Sequence, residues 1–268
     1  MNLLVSYNWL KEFVAVKQSP EKVAELLSVH ALSTERLHHL ARQWEKMVIG
    51  KVVKTEKHPN ADKLTVNSVD IGAQTVQIIC GAPNVRLGML AAVALPGAKV
   101  RWHGTGELVA LEAAKIRGVE SFGMMCSGNE IGLEKYPDAA KGIIDLSWIN
   151  AKPGTALAKA LDMDDVLMDV EVTSNRPDAM SVVGVAREVA AVTAAKLQFP
   201  ITNFQFPKSA TTFPLSVDVR AKKLCTRFAA VVIEGIKVGP SPWWMQKRLI
   251  MAGLRPINNI VDITNYVM

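Results

Sequence analysis

The sequence contains no apolar run approaching the ~18–20 residues that a membrane-spanning helix needs. It has three cysteines, Cys80, Cys126 and Cys225, odd in number, widely spaced and never arranged as C-x-x-C. That argues against a disulfide scaffold and a cysteine zinc site and suits a reducing cytoplasm, with each thiol a small buried hydrophobe. A P-loop, a G-x-G-x-x-G run and an H-E-x-x-H helix are all missing. His38-His39 has no cysteine or acid at ligand spacing and reads as a solvated helix end. Asp162, Asp164 and Asp165 lack the glycine and distal Glu of a calcium loop and read as a solvated acidic turn. No Ser/His/Asp set assembles, so no catalytic residue and no metal ligand is assigned. The start, Met1-Asn2-Leu3-Leu4-Val5-Ser6, has no basic region, and no signal peptide is expected.

What the chain does have is an apolar content of 49%, enough for a core, in a length of 268 residues that fits one large domain or two to three small ones. The net charge of +6 is unevenly spread. Residues 201–268 carry nine Lys/Arg against three Asp/Glu, whereas residues 41–148 carry thirteen against eleven. A basic final quarter fits nucleic acid, and equally a solvated face or a half-domain without its acidic partner.

Residues 1–40 predict two short helices. Ser6 caps the first, with Trp9, Leu10 and Phe13 as its apolar face; Ser19-Pro20-Glu21 opens the second, with Val23, Leu26 and Leu27 buried. From about residue 46 short β-rich runs follow at 47–53, 64–71, 76–80 and 90–95, and the block closes near 142–146. Such spacing predicts a small barrel or sandwich. Residues 166–172 alternate as a half-buried strand. Ser174-Asn175-Arg176-Pro177-Asp178 is a turn, and Ser181 starts a helix with Val182, Val185, Val189 and Val192 on one face. The flanks on either side of the barrel fit one domain with the barrel inserted. Residues 198–214, with three prolines, predict a linker. Beyond it lie two strand candidates, Leu215–Val219 and Phe228–Ile236, then a helix N-capped by Ser241 and stopped at Gly253. The segment from Asn258 begins a new element, and its stop at Met268 reads as a truncation.

Three segments carry possible chemistry. His58-Pro59-Asn60-Ala61-Asp62-Lys63-Leu64 reads either as a strand-connecting turn or as a ligand-facing loop where Lys57 and Lys63 meet phosphates. Cys80-Gly81-Ala82-Pro83-Asn84-Val85 reads as a tight turn, since Cys80 lacks a base to activate it. In Lys115-Ile116-Arg117-Gly118-Val119-Glu120-Ser121, Lys115 and Arg117 fall on one strand face. Ser121, Ser127 and Asn129 add hydrogen-bonding groups, and Phe122 offers a stacking surface. Basic residues with an aromatic on a small barrel can hold nucleic acid. Helix-cap roles for Asn258 and Asn259 are the plain reading of the last segment.

Together, His58–Leu64, Cys80–Val85, Ala94-Leu95-Pro96-Gly97 and Leu111–Leu133 resemble the tRNA-binding OB-type domain. Ser6-Tyr7-Asn8-Trp9-Leu10, Asn175-Arg176-Pro177-Asp178, Gly184–Ala190 and Arg255-Pro256-Ile257-Asn258-Asn259 through Tyr266 resemble, in the same order, the bacterial phenylalanyl-tRNA synthetase β chain. The resemblance implies an α+β multidomain chain. A small α/β domain (1–40 plus 150–197) is interrupted by a β-barrel OB-fold insert (41–149). A linker (198–214) leads to the truncated first part of an α+β editing-type domain (215–268). It implies binding of tRNA(Phe), pairing with an α subunit in an α2β2 heterotetramer, and a cytoplasmic setting without membrane contact. ATP and Mg2+ serve aminoacylation in the full enzyme, whereas this fragment holds no cofactor and is inactive alone. Arg255 and Asn265 correspond to part of the editing pocket. The alternative is a free-standing tRNA-binding module, against which the flanking segments count.

Overall fold

The chain opens with strand β1 (Asn2–Ser6), the one-turn helix α1 (Tyr7–Leu10), helix α2 (Pro20–His30), strand β2 (Thr34–His39) and a second short helix α3 (Leu40–Gln43). Strands β3 (Met47–His58), β4 (Ala61–Asp70), β5 (Thr75–Cys80) and β6 (Leu90–Ala94) follow. Two hairpins come next, β7 (Lys99–Arg101) with β8 (Leu108–Ala110) and β9 (Ala114–Ile116) with β10 (Val119–Ser121), then the short β11 (Met124–Met125). Helix α4 (Leu157–Ala160), strand β12 (Val166–Glu171) and helices α5 (Val182–Thr193), α6 (Trp243–Met251) and α7 (Asn259–Val267) complete the order. The computed structural model describes residues 2–136, 142–199 and 214–268.

Local chemistry accounts for the helix starts. The Ser6 hydroxyl accepts from Trp9 N, Ser19 Oγ from Lys22 N, Ser181 Oγ from Gly184 N, and Asn258 Oδ1 from both Ile260 N and Val261 N. Each satisfies donors that a helix N-terminus leaves without a partner. Pro20 at the first helical position of α2 removes one such donor outright.

The first sheet has the order β1-β12-β2, antiparallel throughout. β12 is its centre, with Val5 opposite Met168 and Leu37 opposite Met168 on the other side. On one face Met168 and Val170 pack with Val5, Leu10, Val23, Leu27, Val185 and Val189 beneath α1, α2 and α5. From the other face Leu167 enters a second core with Trp44, Ile49, Leu133, Leu157 and Met251. The alternation of a half-buried strand thus holds at Asp169 and Glu171, which are half-buried and exposed respectively, and is broken at Leu167, where the inserted core covers the outer face. Complete burial of each such Leu or Val contributes about 1.5–3 kcal/mol.

The second sheet has the order β11-β6-β3-β4-β5. Its curl depends on Gly50 in β3, where a Cβ would sit 2.4 Å from Val93 Cγ2 and 2.6 Å from Val69 Cγ1. The curl brings residues 120–124 against β5: Phe122 N donates to Gln77 O (2.9 Å) and Gln77 Nε2 to Glu120 O (2.7 Å). β11 then pairs with β6 at the opposite edge. The described strands form several sheets and no closed barrel.

Several other expectations are corrected. Residues 2–6, expected only to lead into a helix, form an edge strand, because their partner β12 lies more than 160 residues away and leaves no local trace. His38 and His39 close strand β2 rather than a helix. Asp165 is no solvated acid. It is 8% exposed, and its carboxylate accepts from Ser6 Oγ, from Asn8 N (3.0 Å) and from Val166 N (2.7 Å). Cys225 is half-exposed, unlike Cys80 and Cys126. Neither Leu215–Val219 nor Phe228–Ile236 is a strand. Their apolar side chains are largely exposed, Leu224 between them to 91%, and among the described residues they join no ladder. Ser241 does not cap α6; Pro242 holds that position while Ser241 Oγ donates to the fully buried Asp262, which also accepts from Ile257 N. Most of the expected linker, residues 200–213, lies outside the described residues.

The C-terminal segment is tied back to the front. Arg248 pairs with Glu12, donates to Tyr266 Oη (2.6 Å) and stacks over the rings of Trp9, Trp244 and Tyr266 at 5.2–5.8 Å. Trp243 Nε1 donates to Leu161 O (2.8 Å). Arg176 bridges Asp178 and Glu188, which fixes the turn before α5 onto that helix and, through its hydrogen bonds, holds the Asp178 carboxyl below the usual range.

Asp165→Ala removes the acceptor for three donors where β12 meets α1. It should lower unfolding stability by about 1.5–3 kcal/mol, seen as a lower urea midpoint at unchanged slope.

Candidate nucleic-acid interface

Two hairpins meet at one end of the curled sheet. Strand β3 ends at His58, Pro59-Asn60 makes the turn, and β4 returns. His58 is 5% exposed. Its Nδ1 accepts from Asn60 N (3.0 Å), so the ring carries its proton on Nε2, which donates to Ile116 O (3.1 Å). Asn60 Nδ2 donates to Arg117 O (3.1 Å). The His58 segment is therefore both a turn and a clasp, closing the β3–β4 hairpin onto the β9–β10 hairpin 58 residues further along.

The β9–β10 connection is a two-residue turn, Ile116 facing Val119, with Arg117 at φ 46° and Gly118 at φ 93°. Positive φ at both central residues is the signature of the tight turn whose twist suits a hairpin. This corrects the placement of Arg117, which sits at the turn and does not share a strand face with Lys115. The sequence run gives period-2 spacing; the glycine after Arg117 ends it.

Lys57, Lys63, Lys115 and Arg117 are all exposed, and the clasp gathers their backbones at one rim. Acids moderate the charge there: Glu120 faces Lys115 across the hairpin, and Asp62 precedes Lys63. The three polar candidates are placed otherwise. Ser121 is 4% exposed, and its hydroxyl accepts from Ile79 N and donates to Gly123 O. Ser127 donates through N and Oγ to Glu130 Oε2. Asn129 begins a short 3-10 turn (129–131), packed against Gly104. The Cys80–Val85 turn is also structural: Asn84 exchanges two hydrogen bonds with the Ile143 backbone, and burial raises the Cys80 thiol pKa. Arg255 is exposed between α6 and α7, and Asn265 is half-buried on α7.

Sequence reasoning missed a groove of about 420 Å³ between the β7–β8 and β9–β10 hairpins. Its walls include Val100, Val109, Ala114 and Ile116, its floor Ile79 and Met124, and its rim Trp102 and Glu112. Neither hairpin strand exceeds three residues, too short for a periodic signal, although an exposed tryptophan after a basic strand was available as a cue.

The family model described as a putative tRNA binding domain matches residues 47–147, the span that contains both hairpins, the clasp and the groove. The B3/4 domain model matches residues 224–268. A phenylalanine–tRNA ligase β subunit from Oceanobacillus iheyensis is 40% identical over 99% of this chain and 33% of that protein. Those of Synechocystis sp. and Streptococcus pyogenes are 42% and 41% identical over 98% and 99% of this chain and 32% and 33% of theirs. This chain belongs to the phenylalanine–tRNA ligase β-subunit family. It spans about a third of the length of those curated relatives. Among solved structures, a MetRS-related protein from Pyrococcus horikoshii aligns at 22% identity and a TM-score of 0.31, over 46% of this chain and 98% of that one. Within the β-subunit family sequence, no group of His, Cys, Asp and Glu able to hold a metal occurs among the described residues, and no described helix is long and apolar enough to cross a membrane.

A Cβ on Gly118 would meet only Asn60 Nδ2, at 3.5 Å, so the cost of Gly118→Ala lies in the backbone. The variant should lose about 1–2 kcal/mol in chemical denaturation, and Gly118→Asn, which tolerates positive φ, should recover most of it.

Proposed function

We propose that this chain is the tRNA-handling front section of a phenylalanine–tRNA ligase β subunit and catalyses no reaction by itself. The observation that supports the reading is the clasp of the His58–Asn60 turn on Ile116 and Arg117, which brings the two segments carrying Lys57, Lys63, Lys115 and Arg117 side by side inside the span matched by the tRNA-binding model. Cationic side chains on a rigid hairpin junction meet phosphates by displacing counterions, and the contact is therefore salt-dependent. Ser121 steadies β5 beside the β9–β10 hairpin through Ile79 N, and Ser127 and Asn129 serve only as secondary contacts from the 127–131 turn.

In this reading residues 1–40 and 150–197 form one discontinuous α/β domain, for which the pairing of β12 with both β1 and β2 is the support. Residues 41–149 are the inserted OB-type barrel, its curl drawn together by the contacts of residues 120–124 with β5 and β6. Residues 215–268 begin the editing domain, with Arg255 and Asn265 lining part of its pocket. Such a pocket admits mischarged tyrosine by partnering its hydroxyl, a discrimination that needs the whole enclosure. The partners are tRNA(Phe) and the α subunit, in an α2β2 enzyme of the cytoplasm that uses ATP and Mg2+ for aminoacylation.

The test is a titration with tRNA(Phe) across a salt series. Lys115→Ala/Arg117→Ala should weaken binding roughly tenfold and reduce the slope of log K against log salt by about 2. Unchanged affinity and slope contradict the rim. The isolated chain should neither aminoacylate tRNA nor hydrolyse Tyr-tRNA, and measurable turnover of either contradicts its inactivity.

A further inference from the structure

The groove between the β7–β8 and β9–β10 hairpins is not explained by phosphate contacts. It is apolar along its walls and floor, yet it opens to solvent beside Trp102, whose side chain is 53% exposed. Leaving an indole in water forgoes its burial, and nothing in the packing needs it there: Trp102 lies outside the three buried cores. The opposite wall runs along Ala114 and Ile116, on either side of the exposed Lys115, and the Arg117-Gly118 turn closes that hairpin. Lys115 alternates to the other face of that strand, opposite Glu120, so the nearest cation on the groove's side is Arg117 at the hairpin tip, while an aromatic ring stands at the groove's mouth.

We propose that this groove takes a single unpaired nucleobase of the bound tRNA, stacked against Trp102, with the adjoining phosphate toward Arg117 at the hairpin tip. The assignment rests on the tRNA-binding reading above and adds a stacking subsite and a base class to it. Three features select this occupant. A volume of about 420 Å³ holds one base with its ribose and excludes a duplex. The apolar walls suit the faces of a base and repel a bare phosphate, while Arg117 at the hairpin tip complements the negatively charged strand that carries it. Finally, Glu112 lines the groove, and no hydrogen bond or ion pair engages it among the described residues. A carboxylate repels phosphate but accepts from the exocyclic amine of cytosine, adenine or guanine. The subsite therefore prefers an amine-bearing base to uracil.

Binding of this chain to short unstructured oligoadenylate, oligocytidylate and oligouridylate, alongside tRNA(Phe), tests the proposal. Trp102→Ala should weaken the A and C oligomers about tenfold with an unchanged salt slope, because stacking involves no counterion release. Trp102→Phe should retain most of the affinity and Trp102→Leu should not, which separates stacking from bulk. Glu112→Ala should erase the preference for A and C over U. If Trp102→Ala and Glu112→Ala bind every oligomer like the parent while Lys115→Ala/Arg117→Ala loses tRNA affinity, the groove holds no base and the tRNA rim stands. If the Lys115/Arg117 variant is also unaffected, the tRNA-binding reading falls with it. An equal loss for all three Trp102 variants that tracks a lower melting temperature assigns Trp102 a structural role and overturns the subsite.

Discussion

Strand β12 is the piece on which the rest of the molecule depends. Six residues, Val166–Glu171, hydrogen-bond to β1 on one side and β2 on the other, joining parts of the chain more than 120 residues apart. Its two faces feed two cores, Met168 and Val170 into one and Leu167 into the other. That double burial fixes where residues 47–147 stand relative to α2 and α5, since Leu167 packs with Ile49 and Leu157 in the shared core. Asp165, one residue before the strand, joins it to the start of α1 through three hydrogen bonds. Placing the second sheet on this anchor leaves its far end, with the clasped hairpins, free to face a partner.

At that end, backbone geometry decides the chemistry. The neutral His58 ring uses both nitrogens, and Asn60 uses both its backbone N–H and its side chain, to hold two turns together. Because Gly118 accepts the left-handed conformation beside Arg117, a cation is presented at the tip of the hairpin instead of along its side. The rim is only modestly basic, with Glu120 and Asp62 interleaved. In the proposed reading its affinity for RNA depends on position and shape more than on net charge, and the proposed aromatic subsite adds energy that salt does not screen.

Much of this was legible in the sequence where the cause is local. The caps at Ser6, Ser19, Ser181 and Asn258, the first turn of α2 and the long strands β3 to β6 follow from residue chemistry within a few positions. What failed to show depends on distant partners. Asn2–Ser6 is a strand because β12 arrives from the far side of the insert. Ser241 and Asp165 turn away from local roles because a better hydrogen-bond partner sits elsewhere. The strand-like alternation at 215–219 and 228–236 joins no β-ladder among the described residues. At the interface, period-2 spacing placed Arg117 with Lys115 until the hairpin turn intervened, Ser121 was read outward although Ile79 N claims its hydroxyl, and the groove left no periodic mark at all.

The central claim is that the clasped hairpin rim is where tRNA meets this chain. Amide chemical shifts of the isotope-labelled protein, followed while tRNA(Phe) is added, test it most directly. Perturbation concentrated at His58–Leu64 and Lys115–Gly118, with the β1-β12-β2 sheet unchanged, is the predicted outcome. Shifts confined to that sheet or to residues 241–268, with the two turns silent, would contradict it.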